Sequence, residues 1–580
     1  MEPERGNLSS LTGLLRCSTI PALVALLLYS IPACTSRLPD PGSPSDSSLQ
    51  LQPSELFRAI VQRSGEVPPR GIVDVKSTGV ALLDVDGDGQ QEILLTSGST
   101  SDRFLANQPG FPPLLLKHLG DLEYQVIKDA AGIPTLPWCT GVAAADLDGD
   151  DDDDLLLMGI DRCVLLENKN GRFHPVENSG IVTSGWCSSA AFGDLDLDGD
   201  LDLYICRYLD YDFSSPPIHG DEWSCLWENQ QVLCGPRGLP PLPDLVFENL
   251  DGLHFRDVTK EWGFSRCDAG YSLAVAIIDL HGDSHPEIFV ANDSGPNHLW
   301  SRNAVALWQE NGLLSGVGVD EDGQEQAGMG VGIGDLDGDE KLDLVVTNFE
   351  RESLNLYLNK GDGTFQDEAS RRGLATGSRS MLSWGVGVQD LDLDGVLDIF
   401  VANGHVYPEA DQVASSPGYL QQDQYWLGRK KAGKIRFEHI SGLAQGSAHV
   451  GRCAVFSDLD KDGDVDVLTS SLNGSPFLYR NNSSQRSPSL QLRLQQPGMN
   501  REAIGAIVTV KQNGWQTTMP ILRQSSFQSS MEAALVIGTS NISEGEAVEV
   551  KVRWPDGEIE KFSLERSGSF TLIRGQGTAR

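Results

Sequence analysis

An all-β fold is what this 580-residue sequence predicts: a seven-bladed β-propeller with metal-binding loops, closed by its own N-terminal strand, and a small C-terminal all-β domain. Three observations carry the prediction. One acidic loop, D-x-D-x-D-G-x-x-[DE], recurs seven times, beginning at Asp84, Asp146, Asp194, Asp279, Asp335, Asp390 and Asp458. Each copy lies between a run of small residues, such as GVAAA or GMGVGIG, and an apolar run, such as EIFVAN or DLVVTN, which reads as strand, loop, strand. Successive copies begin 62, 48, 85, 56, 55 and 68 residues apart, the length of a four-stranded blade with insertions.

In chain order, residues 1–33 read as an export signal whose apolar stretch, 20–31, is too short to span a bilayer core of about 30 Å. IPAC, ending at Cys34, has the pattern of a lipidation box, and residues 34–54, rich in Pro and Ser, read as a flexible tether. The expected location is outside the cytoplasm: periplasmic, anchored at an outer membrane, or extracellular. Residues 55–482 are expected to form the propeller. Ahead of every loop lies an outer-strand signature, an apolar start followed by a polar stretch and a glycine, as in LEYQVIKDAAG from Leu122 and TFQDEASRRG from Thr364. Seven signatures precede the seven loops and none follows the last, so the ring must borrow its closing strand: residues 56–62 should pair with 476–480. Residues 483–489 read as a linker. Beyond it, 490–575 read as a separate β domain, from LQLRLQQ, AIVTVKQ, AALVIG and VEVKVRW with turns at Asn513 and Gly514 and at Asp556 and Gly557.

Within each loop, carboxylates at positions one, three, five and nine, a turn glycine at six and a backbone carbonyl at seven bring hard oxygens onto one point, a cage suited to Ca²⁺. The expected ligands are Asp84, Asp86, Asp88 and Glu92; Asp146, Asp148, Asp150 and Asp154; Asp194, Asp196, Asp198 and Asp202; Asp335, Asp337, Asp339 and Asp343; Asp390, Asp392, Asp394 and Asp398; and Asp458, Asp460, Asp462 and Asp466. The fourth copy, DLHGDSHPE, puts His281 at the third position and Ser284 at the glycine. Its Asp279, Asp283 and Glu287 are therefore expected to form a weak or empty site. The second and fifth copies carry Asp151 and Glu340 at the glycine position but keep their ligands. About six Ca²⁺ ions, or seven if the fourth loop binds, are expected. A single Asp-rich run is as easily a solvated turn; seven in register are not.

Composition agrees with such a body. With 44 basic and 82 acidic residues the formal net charge is −38, which argues against a nucleic-acid partner. Seven bound Ca²⁺ would return about +14, so folding should be coupled to the ion. Ten cysteines include Cys17 and Cys34, and of the remaining eight, Cys225 and Cys234 in one insertion are the best disulfide candidates. The other six are either paired or small buried hydrophobes. No nucleophile elbow, metalloprotease or phosphate-loop motif occurs, and the acids are largely taken by the loops, so an enzyme is not expected. Asn292 and Asp293 in ANDSGPN, with Asn403 and His405 in NGHVYP, follow strands that leave acidic loops and are candidates for a ligand-binding rim. The competing reading of His405 is a hydrogen-bonded loop cap.

These landmarks resemble a known family. The loops look like FG-GAP or VCBS-type repeats. VLCGPRGLPPLPDLVFEN from Val232, FVANDSGPNHLW from Phe289, LYLNKGDGTFQD from Leu356, VANGHVYPE from Val401, NREAIGAIVTV from Asn500 and VEVKVRWPDGEIEKF from Val548 resemble the bacterial relatives of cartilage acidic protein, which end in an ASPIC/UnbV domain. The resemblance spans roughly residues 55 to 575. Two functional classes are compatible with it. One is a non-catalytic, Ca²⁺-dependent binding or adhesion module with an unknown protein or glycan ligand. The other is a polysaccharide-binding or polysaccharide-active protein on a Ca²⁺-stabilised propeller.

Overall fold

The runs on either side of each acidic loop pair as antiparallel strands, and further strands extend each pair outward into seven sheets of four strands, one of them with a fifth strand added at its inner edge. The computed structural model describes residues 52, 53, 57 and 60–579, apart from 77, 218–224, 304–306, 442–447, 486, 513, 541 and 544. Residues 1–33 and Cys34, read as signal and lipidation site, lie outside the described residues. The inner strands are Val80–Leu83, Cys139–Ala145, Cys187–Gly193, Ser272–Ile278, Val331–Gly334, Ser383–Gln389 and Gly451–Ser457. Each lies against the inner strand of the next sheet in chain order, and the last lies against the first. Crowding explains their small residues: a Cβ added at Gly387 would lie 2.2 Å from the ring of Phe456, and one at Gly193 would lie 2.6 Å from Ile277. In so tightly packed a centre, larger side chains would push the sheets apart.

Outer strands fall on the expected signatures at Glu123–Val126, Phe173–Pro175, Phe255–Asp257, Trp308–Glu310, Phe365–Asp367 and Lys434–His439. The seventh sheet does take its outermost strand from the N-terminal end of the chain, but not from residues 56–62. Gln52 pairs with Arg480 and Pro53 with Tyr479, inside the stretch read as tether. Proline suits an edge position of this kind. Phe57 and Gln62, of the stretch expected to close the ring, are engaged elsewhere. Phe57 is buried with its ring 5.8 Å from that of Tyr124, and the buried Gln62 amide donates to the carbonyls of Gly79 and Thr96, each at 3.1 Å. Residues 62–64 still lie beside the seventh sheet, with Gln62 N donating to the Gly474 carbonyl at 3.1 Å and Asn473 Nδ2 to the Ser64 carbonyl at 2.7 Å.

The tail builds two sheets of its own, one of Ser489–Gln495, Ala534–Gly538 and Gly568–Ile573, the other centred on Ile507–Gln512 and Val548–Arg553. It is not the separate body expected beyond a linker. Leu490, Val508, Val550 and Trp554 share one buried core with Val345, Val386 and Ile399 of the fifth and sixth sheets. In addition, Ser529 and Ser530 pair in parallel with Val80 and Ala81. Around them the segment 524–530 threads between the inner strands. Gln524 Nε2 donates to the Ala144 carbonyl at 2.8 Å, Ser526 Oγ donates to the Ala454 carbonyl at 2.9 Å, and Val386 N donates to Ser526 Oγ at 3.0 Å. Phe527, fully buried, has its ring centre 4.9 Å from that of Trp384. Short polar side chains can satisfy the backbone groups that inner strands leave unpaired, which is the physical use of the QSSFQSS stretch.

Candidate metal centres

Each loop is wound by its own first carboxylate. In the fifth, Asp335 Oδ1 accepts from the amides of Gly338 and Asp339 at 2.7 and 3.1 Å, and Oδ2 accepts from Glu340 N at 2.8 Å. The ninth carboxylate is a staple. Asp343 accepts from Leu336 N and, on its other oxygen, from Asn359 N of the third strand, both at 2.8 Å. Asp202 repeats this with Leu195 and Asn249 at 2.9 Å each, and Asp466 with Leu459 and Asn481 at 3.1 and 2.8 Å. Since a carboxylate oxygen has two lone pairs, the staple leaves capacity for an ion.

Carboxylate oxygens within 4.8 Å of one another form clusters at Asp84, Asp86 and Glu92; Asp146, Asp148 and Asp150; Asp194, Asp196 and Asp202; Asp335, Asp337 and Asp339; and Asp390, Asp392 and Asp398. The remaining expected ligands stand beside them. Asp88, Asp198 and Asp394 cap the amides of Gln90, Asp200 and Val396, while Asp154 and Asp343 hold staples. In the seventh loop Asp458 accepts from Asp462 N and Gly463 N at 3.0 Å, and Asp460 meets Arg480 at 2.5 Å. Buried oxygens without a hydrogen bond, Oδ1 of Asp148, Asp337 and Asp390 among them, belong to these clusters. Buried, unpaired, mutually close carboxylate oxygens are what a hard divalent cation neutralises, so the residues fit such an ion.

Titration points the same way. Burial, with the neighbouring carboxylates adding to it, pushes Asp146 and Asp458 up to about 7 and Asp154 and Asp202 up to about 8. Asp343, Asp390, Asp398 and Asp466 are pushed well above the usual carboxylate range by the same causes. Two further acids are raised in the same way. Asp200 and Asp464, at the seventh position, were assigned only a backbone carbonyl, yet burial and adjacent aspartates raise them to about 7 and about 6. Sequence reasoning missed the asparagines ending third strands: Asn359 Nδ2 donates to the carbonyls of Leu342 in its own loop and Leu280 in the preceding one, and Asn168 and Asn481 likewise reach back to Val85 and Leu391. Their signal is the Asn that opens hairpin turns such as NKNG and NKGDG.

The fourth loop keeps the backbone and changes the charges. His281 Nδ1 lies 2.9 Å from Glu287 Oε1, and Arg553 of the tail binds Asp279 Oδ2. Asp283 remains largely exposed. Tail residues meet most of the other loops as well: Arg501 reaches Asp151 at 2.7 Å, Trp515 Nε1 donates to the Gly395 carbonyl at 3.1 Å, Gly538 N donates to Asp390 Oδ2 at 2.7 Å, and Lys551 and Gln491 bind Glu340 and Asp458.

The rim candidates are not on an open rim. Asn292, Asn403 and His405 are fully buried and Asp293 is 4 % exposed. Asn292 accepts from Ser272 Oγ and Asn403 from Ser383 Oγ, at 3.0 and 2.8 Å. Asp293 pairs with buried Lys76 at 2.5 Å and with Tyr208 Oη at 2.6 Å. His405 Nδ1 accepts from Tyr407 N at 2.9 Å and Nε2 lies 3.3 Å from Glu350, beneath the ring of Trp227 at 4.9 Å. Trp227 belongs to the hairpin that the Cys225–Cys234 disulfide staples, as the sequence predicted. The other six described cysteines are free thiols, five of them buried.

Two family descriptions match this chain, and it carries both: an FG-GAP-like repeat at residues 161–205, 279–346 and 335–401, and an ASPIC and UnbV segment at 496–579. Cartilage acidic protein 1 of Mus musculus is 26% identical over 516 residues, covering 84% of this chain and 71% of that protein. The same protein of Homo sapiens is 27% identical over 317 residues, covering 53% of this chain and 44% of its own length. Among solved structures the chain aligns with an Agrocybe aegerita lectin described as recognising non-reducing terminal N-acetylglucosamine, at 16% identity and a TM-score of 0.37 over 69% of this chain and 86% of that one. It also aligns with YCF48 bound to D1 peptide, at 8% identity and a TM-score of 0.37 over 70% and 94%.

Proposed function

We propose that this chain is an exported, Ca²⁺-binding, seven-bladed β-propeller acting as a non-catalytic binding or adhesion module at the cell surface or in the periplasm. The observation that carries it is one carboxylate cage repeated from sheet to sheet, with oxygen donors only. Such cages favour Ca²⁺ over transition metals, and their irregular, many-ligand form favours it over Mg²⁺. The inner strands follow one another in chain order and the last meets the first, which supports reading the sheets as blades of one ring closed by Gln52 and Pro53. The charged residues near His405 are paired and sealed under Trp227, which favours a binding role over catalysis.

A second reading, polysaccharide binding, is favoured by a cavity of about 650 Å³ beside the closing seam, whose walls include Glu66, Tyr419, His449 and Phe477. Aromatic faces with a carboxylate at the edge suit a sugar ring. Glycan arrays and cell-surface protein pull-downs, each with Ca²⁺ and with chelator, separate the readings. A Ca²⁺-dependent protein ligand with no glycan signal supports adhesion; a glycan signal supports the second reading; turnover of a glycan substrate would overturn the non-catalytic assignment.

A further inference from the structure

Where the chain leads into the first inner strand, Val80–Leu83, it buries a lysine that it does not satisfy as an ion. Lys76 Nζ lies 2.5 Å from Oδ2 of Asp293, the residue that follows the strand Glu287–Asn292 of the fourth sheet. Asp293 is buried too, and it is the one hydrogen-bond acceptor of Lys76 among the described residues. An ammonium brings three N–H donors, so two are left without an acceptor. The rings of Tyr208 and Trp384 lie with their centres 4.5 and 5.4 Å from the nitrogen, and Trp384 is shared with the buried guanidinium of Arg452 at 4.1 Å. Burial pushes Lys76 below the usual lysine range; Asp293 draws it back in part, and Arg452 adds to the fall. Such surroundings favour the neutral amine, which is a nucleophile.

The carboxyl group beside it is held in place. Asp293 Oδ1 accepts from Ser294 Oγ at 3.0 Å, and Oδ2 accepts from Tyr208 Oη at 2.6 Å. One oxygen is thus fixed as a carbonyl, and the other has a proton donor at hand. Well-oriented groups in permanent contact react with effective molarities of roughly 10⁵ M or more. The burial that penalises the ion pair also favours the neutral pair and the amide it can form.

We propose that Lys76 and Asp293 condense into an isopeptide bond, with Tyr208 as the proton carrier. Proton transfer within the pair gives amine and carboxylic acid. The Nζ lone pair attacks Cγ, Tyr208 protonates the departing Oδ2 and takes back a proton from nitrogen, and one water leaves. The Nζ–Cγ bond forms, the Cγ–Oδ2 bond breaks, no oxidant is needed, and the product nitrogen keeps a single N–H. This bond ties the first sheet to the fourth and does not depend on the binding role proposed above. Proteolysis of the purified full chain, followed by tandem mass spectrometry, tests it. The expected product is a branched peptide containing both residues, lighter by one water than the two separate peptides together. On denaturing gels the closed loop should run ahead of Lys76→Arg, which keeps the charge but lacks the primary amine. Tyr208→Phe should slow the appearance of the branched peptide in freshly synthesised protein about a hundredfold. Recovery of the Lys76 and Asp293 peptides unlinked from the folded parent, equal migration of parent and Lys76→Arg, or linkage at the parent's rate in folded Tyr208→Phe would each overturn the proposal.

Discussion

The fourth and fifth loops are neighbours with one backbone and two electrostatic solutions. In both, the first aspartate accepts from the amides of positions four, five and six, at 2.7, 3.2 and 2.8 Å in the fourth and 2.7, 3.1 and 2.8 Å in the fifth. Both place a non-glycine residue in the left-handed region at the glycine position, Ser284 at φ 71° and Glu340 at φ 69°. The Asn359 amide bonds both loops. The fifth loop, however, gathers the carboxylates of Asp335, Asp337 and Asp339, whereas the fourth meets its acids with His281 and Arg553. The turn itself needs no ion. What needs one is the third carboxylate, and where the chain supplies its own cations that need is gone.

The largest effect that could break this comparison is ion removal. A site filled at about a hundredfold over its Kd adds about 2.7 kcal/mol, so stripping several sites should lower the melting temperature by about 10 °C or more. An unchanged melt would make the loops ordinary turns. Next comes pH. Asp146, Asp154, Asp202 and Asp458 have folded-state values near 7 to 8, above their unfolded ones, so the ion-free folded state holds more protons than the unfolded state. Its stability should therefore fall as pH rises from about 4 to about 8, while the Ca²⁺-loaded protein should not lose stability over that range. Thermal melts of dialysed, chelator-free protein at several pH values check the sign; a stripped protein that gains stability toward pH 8 would contradict it.

A pair of substitutions sharpens the comparison at smaller cost. Asp196→Ala should reduce the calcium-dependent part of the melting temperature by the share of one site, a few degrees. His281→Ala leaves Glu287 buried without its partner and should destabilise loaded and stripped protein alike, leaving the calcium-dependent part unchanged. Equal loss of the calcium-dependent part in both variants would erase the distinction between the loops. Smallest is the seam: among the described residues, removing residues 1–55 breaks the pairing of Gln52 and Pro53, and should cost about 1 to 2 kcal/mol, read as a small drop in the denaturation midpoint.

Much of this was legible because a period-two strand pattern and a carboxylate spacing are local properties. The seven loops, the outer strands from Glu123 to His439 and the Cys225–Cys234 bridge all lie where residue spacing put them. The closing strand was placed four residues late because Leu56 and Phe57 look like a strand start, while Phe57 is used to fill the core beside Tyr124. The rim was misjudged for a related reason: Asn292, Asn403 and His405 are polar in sequence, and only the fold reveals that they sit buried and bonded at strand ends. The tail's polar QSSFQSS stretch finds its inner-strand partners 72 or more residues away, and these are invisible to any local pattern.

Ion stoichiometry tests the central claim most directly. Calcium measured by elemental mass spectrometry after gel filtration in calcium-containing buffer should give about six ions per chain, and His281→Asp with Arg553→Gln should raise that count by about one as the fourth loop regains its carboxylate and loses its built-in cations. A parent protein carrying no bound calcium would contradict the account.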